Sequence, residues 1–153
     1  GLEEGFISST LGVAAWIAIA GSVLVIFIST RFGRLWPLTL AISITALGTW
    51  LLHYSGEALY YWIANVGVGI TWAFGISYLL AMCSAFDASG QMAALGGFAS
   101  KMGLASGPMV AALLMSGEDY SLVINVAVAV FVVAALVVVI PARVLDRADQ
   151  AVT

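Results

Sequence analysis

The sequence predicts an all-α integral membrane protein with five transmembrane helices, on the strength of its composition, its charge spacing and its long apolar runs. The 153-residue chain is 63% hydrophobic and only 8% charged, whereas soluble domains carry about 25% charged residues. Its five basic and eight acidic residues are too few to cover a soluble surface, and they cluster in short gaps between apolar runs. The net charge of −3 and the single cysteine exclude a basic nucleic-acid binder and a disulfide-stapled secreted module.

Five segments are long enough to be transmembrane helices, because a bilayer core about 30 Å thick requires roughly 20 apolar residues of helix. They cover about residues 6–29, 35–52, 58–86, 88–116 and 122–140, and residues 141–153 are predicted to form a cytoplasmic tail. The first segment is preceded by Glu3 and Glu4 and is longer than the apolar region of a signal peptide, so it is interpreted as a true span. No alternating pattern typical of β-barrel strands is present.

The arginines predict the orientation of these helices. Arg31 and Arg34 follow the first span, and Arg143 and Arg147 follow the fifth, so all four lie on the same side. The other side carries acids and neither Lys nor Arg: Glu3, Glu4, Glu57, Glu118 and Asp119. Since basic residues are enriched in cytoplasmic loops, we expect the N-terminus outside and the C-terminus in the cytoplasm.

Small and polar residues separate the spans into two groups. The second and fifth are apolar nearly all round, which is typical of helices that face lipid. The first, third and fourth carry stripes at helical spacing, which either pack helices closely or line a cavity. The stripes are Gly5, Ser9, Gly12 and Trp16; Asn65, Gly69 and Trp72, beside Gly67, Thr71, Gly75 and Tyr78; and Gly96, Ser100, Gly103 and Gly107. The larger members, Trp16, Asn65, Trp72 and Tyr78, are the candidate cavity residues.

Lys101 is the most informative single residue. It lies 14 residues after Asp87 and 16 before Gly117, so about 20 Å of helix separates it from either end. A charge at that depth costs roughly 3 kcal/mol and usually faces a protein interior or a water-filled cavity. We therefore expect Lys101 to line a substrate cavity; the alternative is a neutral lysine that fills a polar gap. Gly107 and Pro108 predict a kink in the same helix.

Little in the sequence indicates an enzyme. His53 stands alone at a predicted membrane edge, and Cys83 has no partner residue of the kind a nucleophile requires. Zinc, nucleotide-binding and serine-nucleophile patterns are missing from the sequence. We expect no catalytic residue, no metal and no cofactor.

The ordered motifs resemble the C-terminal half of the major facilitator superfamily. Residues 29–34, Ser-Thr-Arg-Phe-Gly-Arg, resemble the Asp-Arg-x-Gly-Arg loop that joins the second and third helix of each half. Residues 87–94, followed by 101–108 with their Gly-Pro, are similar to the region between the tenth and eleventh helices. Thr30 and Gln91 depart from the usual acidic residue and arginine. The likeness covers nearly the whole chain, as helices eight to twelve.

This resemblance implies part of the C-terminal six-helix bundle of a twelve-helix transporter. The first, third and fourth spans would line the cavity, with the other two peripheral, and Arg31, Gly33 and Arg34 would form a gate or hinge contact. The chain would be a fragment of a secondary active transporter that moves a small solute by alternating access in a bacterial inner membrane. Its missing partner would be the N-terminal half or another subunit. The alternatives are a non-transporting membrane scaffold and a small oligomeric five-span protein.

Overall fold

The fold is all-helical, as the sequence predicts. A computed structural model describes residues 2–28, 31–115, 117 and 119–151, and in that part of the chain it contains five α-helices and no β-strand. The helices are α1 (Glu4–Ile28), α2 (Leu35–Leu51), α3 (Ala58–Phe86), α4 (Gln91–Leu114) and α5 (Ser121–Gln150), with a 3-10 turn at Leu52–Tyr54 after α2. The predicted span ends at 29 and 116, together with Thr30 and Glu118, lie outside the described residues.

Four of the helices are long and apolar enough to cross a membrane: α1, α2 with its 3-10 turn, α3 and α5. Helix α4 has 24 residues, which is sufficient length. Its glycines, serines and Lys101 make it less apolar than the others, and it does not join this group. Length and composition thus support a membrane protein built on four such helices.

Helix α5 is longer than the apolar run that predicts it. It continues through Pro141 to Gln150, over residues that the sequence alone assigns to a tail. Ala142 and Leu145 are buried against the other helices, and Asp146 bonds to the start of α2. These contacts offset the hydrogen bond that a proline removes from a helix and hold the last turns in place.

Helix α3 lies at the centre of the bundle. It runs parallel to α1 and antiparallel to α2, and α5 packs antiparallel on α2. The closest approach is at Gly21 of α1, where an added Cβ would lie 2.1 Å from the Ile70 carbonyl oxygen of α3. Only glycine allows two backbones to approach so closely.

The main apolar core lies where α2, α3 and α5 meet. Its buried members are Leu38, Ala41, Phe74, Tyr78, Met82, Val138, Ala142 and Leu145. Farther along the α2–α3 contact, the hydroxyls of Thr45 and Thr71 are hydrogen-bonded at 2.6 Å. Helix α4 contacts α3 through its first half, where Gly96 packs on Cys83, and none of its residues is buried. It is the least covered helix of the bundle.

Candidate functional site

The most elaborate polar structure lies at one end of the bundle, which we call the arginine end: the loop 31–34, the start of α2 and the last turns of α5. Here the Asp146 carboxylate accepts hydrogen bonds from the backbone N–H groups of Arg34 (2.7 Å) and Leu35 (3.1 Å). The first N–H groups of a helix have no partner within it. Asp146 therefore caps α2 from the far end of the chain, and its negative charge is favoured at a helix N-terminus.

Gly33 and Arg34 complete this cap. Gly33 has φ +70°, and a Cβ there would lie 2.9 Å from Asp146 Oδ2, so conformation and space both favour glycine. The Arg34 guanidinium lies 2.6 Å from Asp149 Oδ2 and 3.8 Å from Asp146 Oδ1. Two residues of the predicted loop motif thus meet a pair of aspartates that the sequence analysis left in the tail.

Arg31, the remaining residue of the loop motif, is not part of this cap. Its guanidinium lies 6.0 Å from the centroid of the Phe32 ring. Arg31 instead lines a cleft of about 640 Å³ between the loop and the end of α5. We call it the arginine cleft; its walls include Arg31, Phe32, Trp36, Arg143, Asp146, Arg147 and Asp149.

The five predicted cavity residues are distributed over several faces of this bundle. Lys101 of α4 is exposed, and Trp16 of α1 is 77% exposed. Asn65 is half-buried and donates to the Tyr61 carbonyl of its own helix (2.8 Å). Tyr78 belongs to the buried core, where its ring stacks on Phe74 with the centroids 4.8 Å apart.

Trp72, the remaining candidate, lines a groove of about 620 Å³ between α3, α4 and α5. Gly103 and Gly107 of α4 face the same groove, and α4 continues through Pro108 to Leu114. The described residues that line this groove do not include Lys101, Trp16, Asn65 or Tyr78. A single cavity that joins all five would therefore need walls beyond those of this bundle.

The opposite end of the bundle is rich in aromatic residues. Trp50, Tyr54 and Tyr60 form a chain of ring contacts with centroids 5.7 Å apart, as is common where helices reach a membrane interface. His53 Nε2 lies 3.0 Å from Asn125 Oδ1. A hydrogen bond from the Ser121 hydroxyl is the main cause that lowers the pKa of Asp119, with the Ser121 N–H and the charge of His53 adding to it.

Asp87 organises the turn between α3 and α4. Its carboxylate accepts bonds from the Ser89 hydroxyl (2.7 Å), the Ser89 N–H (2.9 Å) and the Met92 N–H (3.1 Å). These bonds, the Ser89 hydroxyl first, hold the pKa of Asp87 below its usual range. Within the described part of the chain no three His, Cys, Asp or Glu residues come together as a metal site.

Comparison of the chain with protein-family models, with curated proteins and with solved structures finds no match.

Proposed function

We propose that this chain is part of a secondary active transporter of the major facilitator type, which moves a small solute by alternating access. The observation that carries the proposal is helix α4: it holds Lys101 near its middle, yet none of its residues is buried. Lipid around that lysine would cost roughly 3 kcal/mol. A second bundle or a water-filled cavity against α4 removes this cost, and a carrier has both.

The arrangement of the helices supports the same proposal. Helices α2 and α5, which the resemblance assigns to the periphery, pack on each other and keep much of their apolar surface exposed. Helix α4, which it assigns to the cavity, presents glycines to an open groove. Binding sites of such carriers lie near the midplane between two bundles. The partner in this proposal is the N-terminal half or another subunit.

The arginine end would serve as the hinge contact of the cycle. The Arg34, Asp146 and Asp149 side chains tie the loop 31–34 to α5, so the loop and the end of α5 would move as one body. The positive-inside rule supports placing this end in the cytoplasm, with an inner-membrane location and the N-terminus outside. The predicted spans hold no carboxylate near their middle, so a coupling proton would need a carrier elsewhere.

The test is solute uptake by cells that express the protein from its full reading frame. Cells are given a panel of radiolabelled carboxylates and zwitterionic amino acids, since a cationic Lys101 favours solutes that carry a negative group. Lys101→Ala should abolish uptake of the transported solute while the protein remains inserted in the membrane. Met102→Ala, an exposed neighbour on another face of α4, is the matched control.

Two results would count against the carrier. Uptake by Lys101→Ala at the wild-type rate would show that the lysine has no part in transport. No uptake of any solute by correctly inserted wild-type protein would favour the membrane scaffold instead.

A further inference from the structure

Three arginines of the arginine cleft have no acidic partner among the described residues. Arg31, Arg143 and Arg147 line the cleft, and among the described residues no carboxylate lies within ion-pair distance of them. The two acids of the cleft are already engaged: Asp146 caps α2 and Asp149 pairs with Arg34. Three arginines and two aspartates line this cleft of about 640 Å³, and Arg34 beside it already engages Asp149, so positive charge is in excess in the cleft.

Arginines that line a cleft suit the binding of a phosphate. Each arginine presents a planar fork of N–H donors that binds phosphate oxygens in pairs. Because the three side chains have no competing carboxylate in the described structure, they can turn to an anion without breaking an existing ion pair. The chemistry of the cleft therefore suits a phosphate group, either soluble or carried by a lipid.

The surroundings of the cleft favour the lipid. Trp36 and Phe32 line the cleft and are 75% and 63% exposed. Aromatic rings that are partly exposed to water are typical of the headgroup level of a membrane. An apolar groove lies farther along the same two helices, between Ile42 and Trp50 of α2 and Val128 and Leu136 of α5.

The apolar groove and the arginine cleft follow one another along the same two helices, α2 and α5. They are separated by six residues on α2, from Trp36 to Ile42, and by seven on α5, from Leu136 to Arg143, which is about 10 Å at 1.5 Å per residue. An acyl chain extends over a comparable distance from its phosphate. One molecule with a charged head and an apolar tail fits both features, whereas a soluble phosphate uses only the first.

We propose that the arginine cleft binds the phosphate of an anionic phospholipid, whose acyl chains lie in the groove between α2 and α5. Basic pockets between membrane helices on the cytoplasmic side are known to hold such headgroups. The site is built from α2, α5 and the loop 31–34, so it shares no helix with Lys101. It requires insertion in a membrane but does not depend on the transport proposal.

Native mass spectrometry of the purified chain in mild detergent tests this site. The chain is titrated with phosphatidylglycerol, with phosphatidylcholine of the same acyl chains, and with glycerol 3-phosphate as a headgroup without chains. We expect one phosphatidylglycerol to bind at least tenfold more tightly than phosphatidylcholine. Glycerol 3-phosphate should bind far more weakly than phosphatidylglycerol.

Charge variants then locate the binding. An arginine near an anionic surface contributes about 1 kcal/mol, or about fivefold in affinity, so Arg143→Gln with Arg147→Gln should weaken phosphatidylglycerol binding about 25-fold. Replacing the same two residues with lysine keeps the charge but removes the paired N–H donors of the guanidinium, and it should cause a smaller loss of phosphatidylglycerol affinity. Arg31→Gln, in the loop rather than in α5, gives an independent fivefold test if the double variant fails to fold.

Three outcomes would overturn the proposal. Equal binding of the two lipids would show that charge plays no part. Unchanged phosphatidylglycerol affinity in the folded glutamine variants would place the lipid elsewhere. Glycerol 3-phosphate binding as tightly as phosphatidylglycerol would make the cleft a site for a soluble anion.

Discussion

Asp146→Ala should destabilise the protein strongly, even though the residue lies in the last turns of α5. The wild-type carboxylate accepts the N–H groups of Arg34 and Leu35 and lies 3.8 Å from the Arg34 guanidinium. Alanine leaves two donors at the start of α2 without a protein partner. Because Asp146 fixes the end of α5 to the start of α2, its loss should also loosen the contact between these helices.

The expected magnitude follows from these bonds. A hydrogen bond to a charged group contributes about 1.5–3 kcal/mol, and loss of a helix N-cap costs about 1 kcal/mol. The Asp146 side chain is 19% exposed, so water replaces part of what is lost. We therefore expect about 2–4 kcal/mol, which corresponds to roughly 5–15 °C in melting temperature for a chain of this length.

Asp149→Ala is the matched control for the melting measurement. It removes a carboxylate one helical turn away that also pairs with Arg34, but Asp149 is 55% exposed and caps no helix. Exposed ion pairs contribute about 0–1 kcal/mol. Melting is followed by circular dichroism at 222 nm, in detergent, for both variants. A shift for Asp146→Ala no larger than that for Asp149→Ala would refute the capping argument.

Two further predictions concern the backbone contact of α1 and the turn before α4. Gly21→Ala should lower the melting temperature, because its Cβ would lie 2.1 Å from the Ile70 carbonyl oxygen, and overpacking of this kind costs about 1–3 kcal/mol. Gly12→Ala, on the same helix with nothing within 4 Å, should be neutral or stabilising in the same melt, and equal losses would contradict the close contact. Asp87→Asn should reduce stability near neutral pH and match the wild type in strong acid. Bonds led by that of the Ser89 hydroxyl lower the pKa of the folded carboxyl, so its contribution is complete above about pH 4 and is lost as the pH falls through the lowered pKa. A difference between the two proteins that does not vary with pH would contradict this assignment.

Hydropathy predicts the positions of the helices well because a membrane leaves the backbone few alternatives. The third span matches α3 at both ends, and the first differs from α1 by two residues at its start. The largest difference is α5, since hydropathy detects where a helix is apolar and not where it ends. The helical spacing of Ala142 and Leu145, with the charged residues Arg143, Asp146 and Arg147 around them, is the signal that predicts the extra turns.

Glycine stripes predict close packing but not which face packs. The predicted stripe of α1 includes Gly5 and Gly12, and both have open space around them. The packed face instead carries Thr10, Ala14 and Gly21. Small residues occur on both faces of this helix, so only the partner helix decides between them, and the α3 residues that it contacts lie about 50 positions away in the sequence. Tyr78 illustrates the same limit, because a tyrosine beside a glycine line suits a cavity and a core equally well.

The arginine end could not be assembled from sequence because its parts are more than 100 residues apart. In the folded chain, the positions of Asp146 and Asp149 determine both the cap of α2 and the excess of positive charge in the arginine cleft. Asp146 fixes the start of α2 and Asp149 pairs with Arg34, and this leaves the three arginines that line the cleft for an anion. Lys101 lies on α4 and shares no residue or helix with the arginine end. Lipid binding and solute transport can therefore be tested separately, and unfolding alone tests the Asp146 cap.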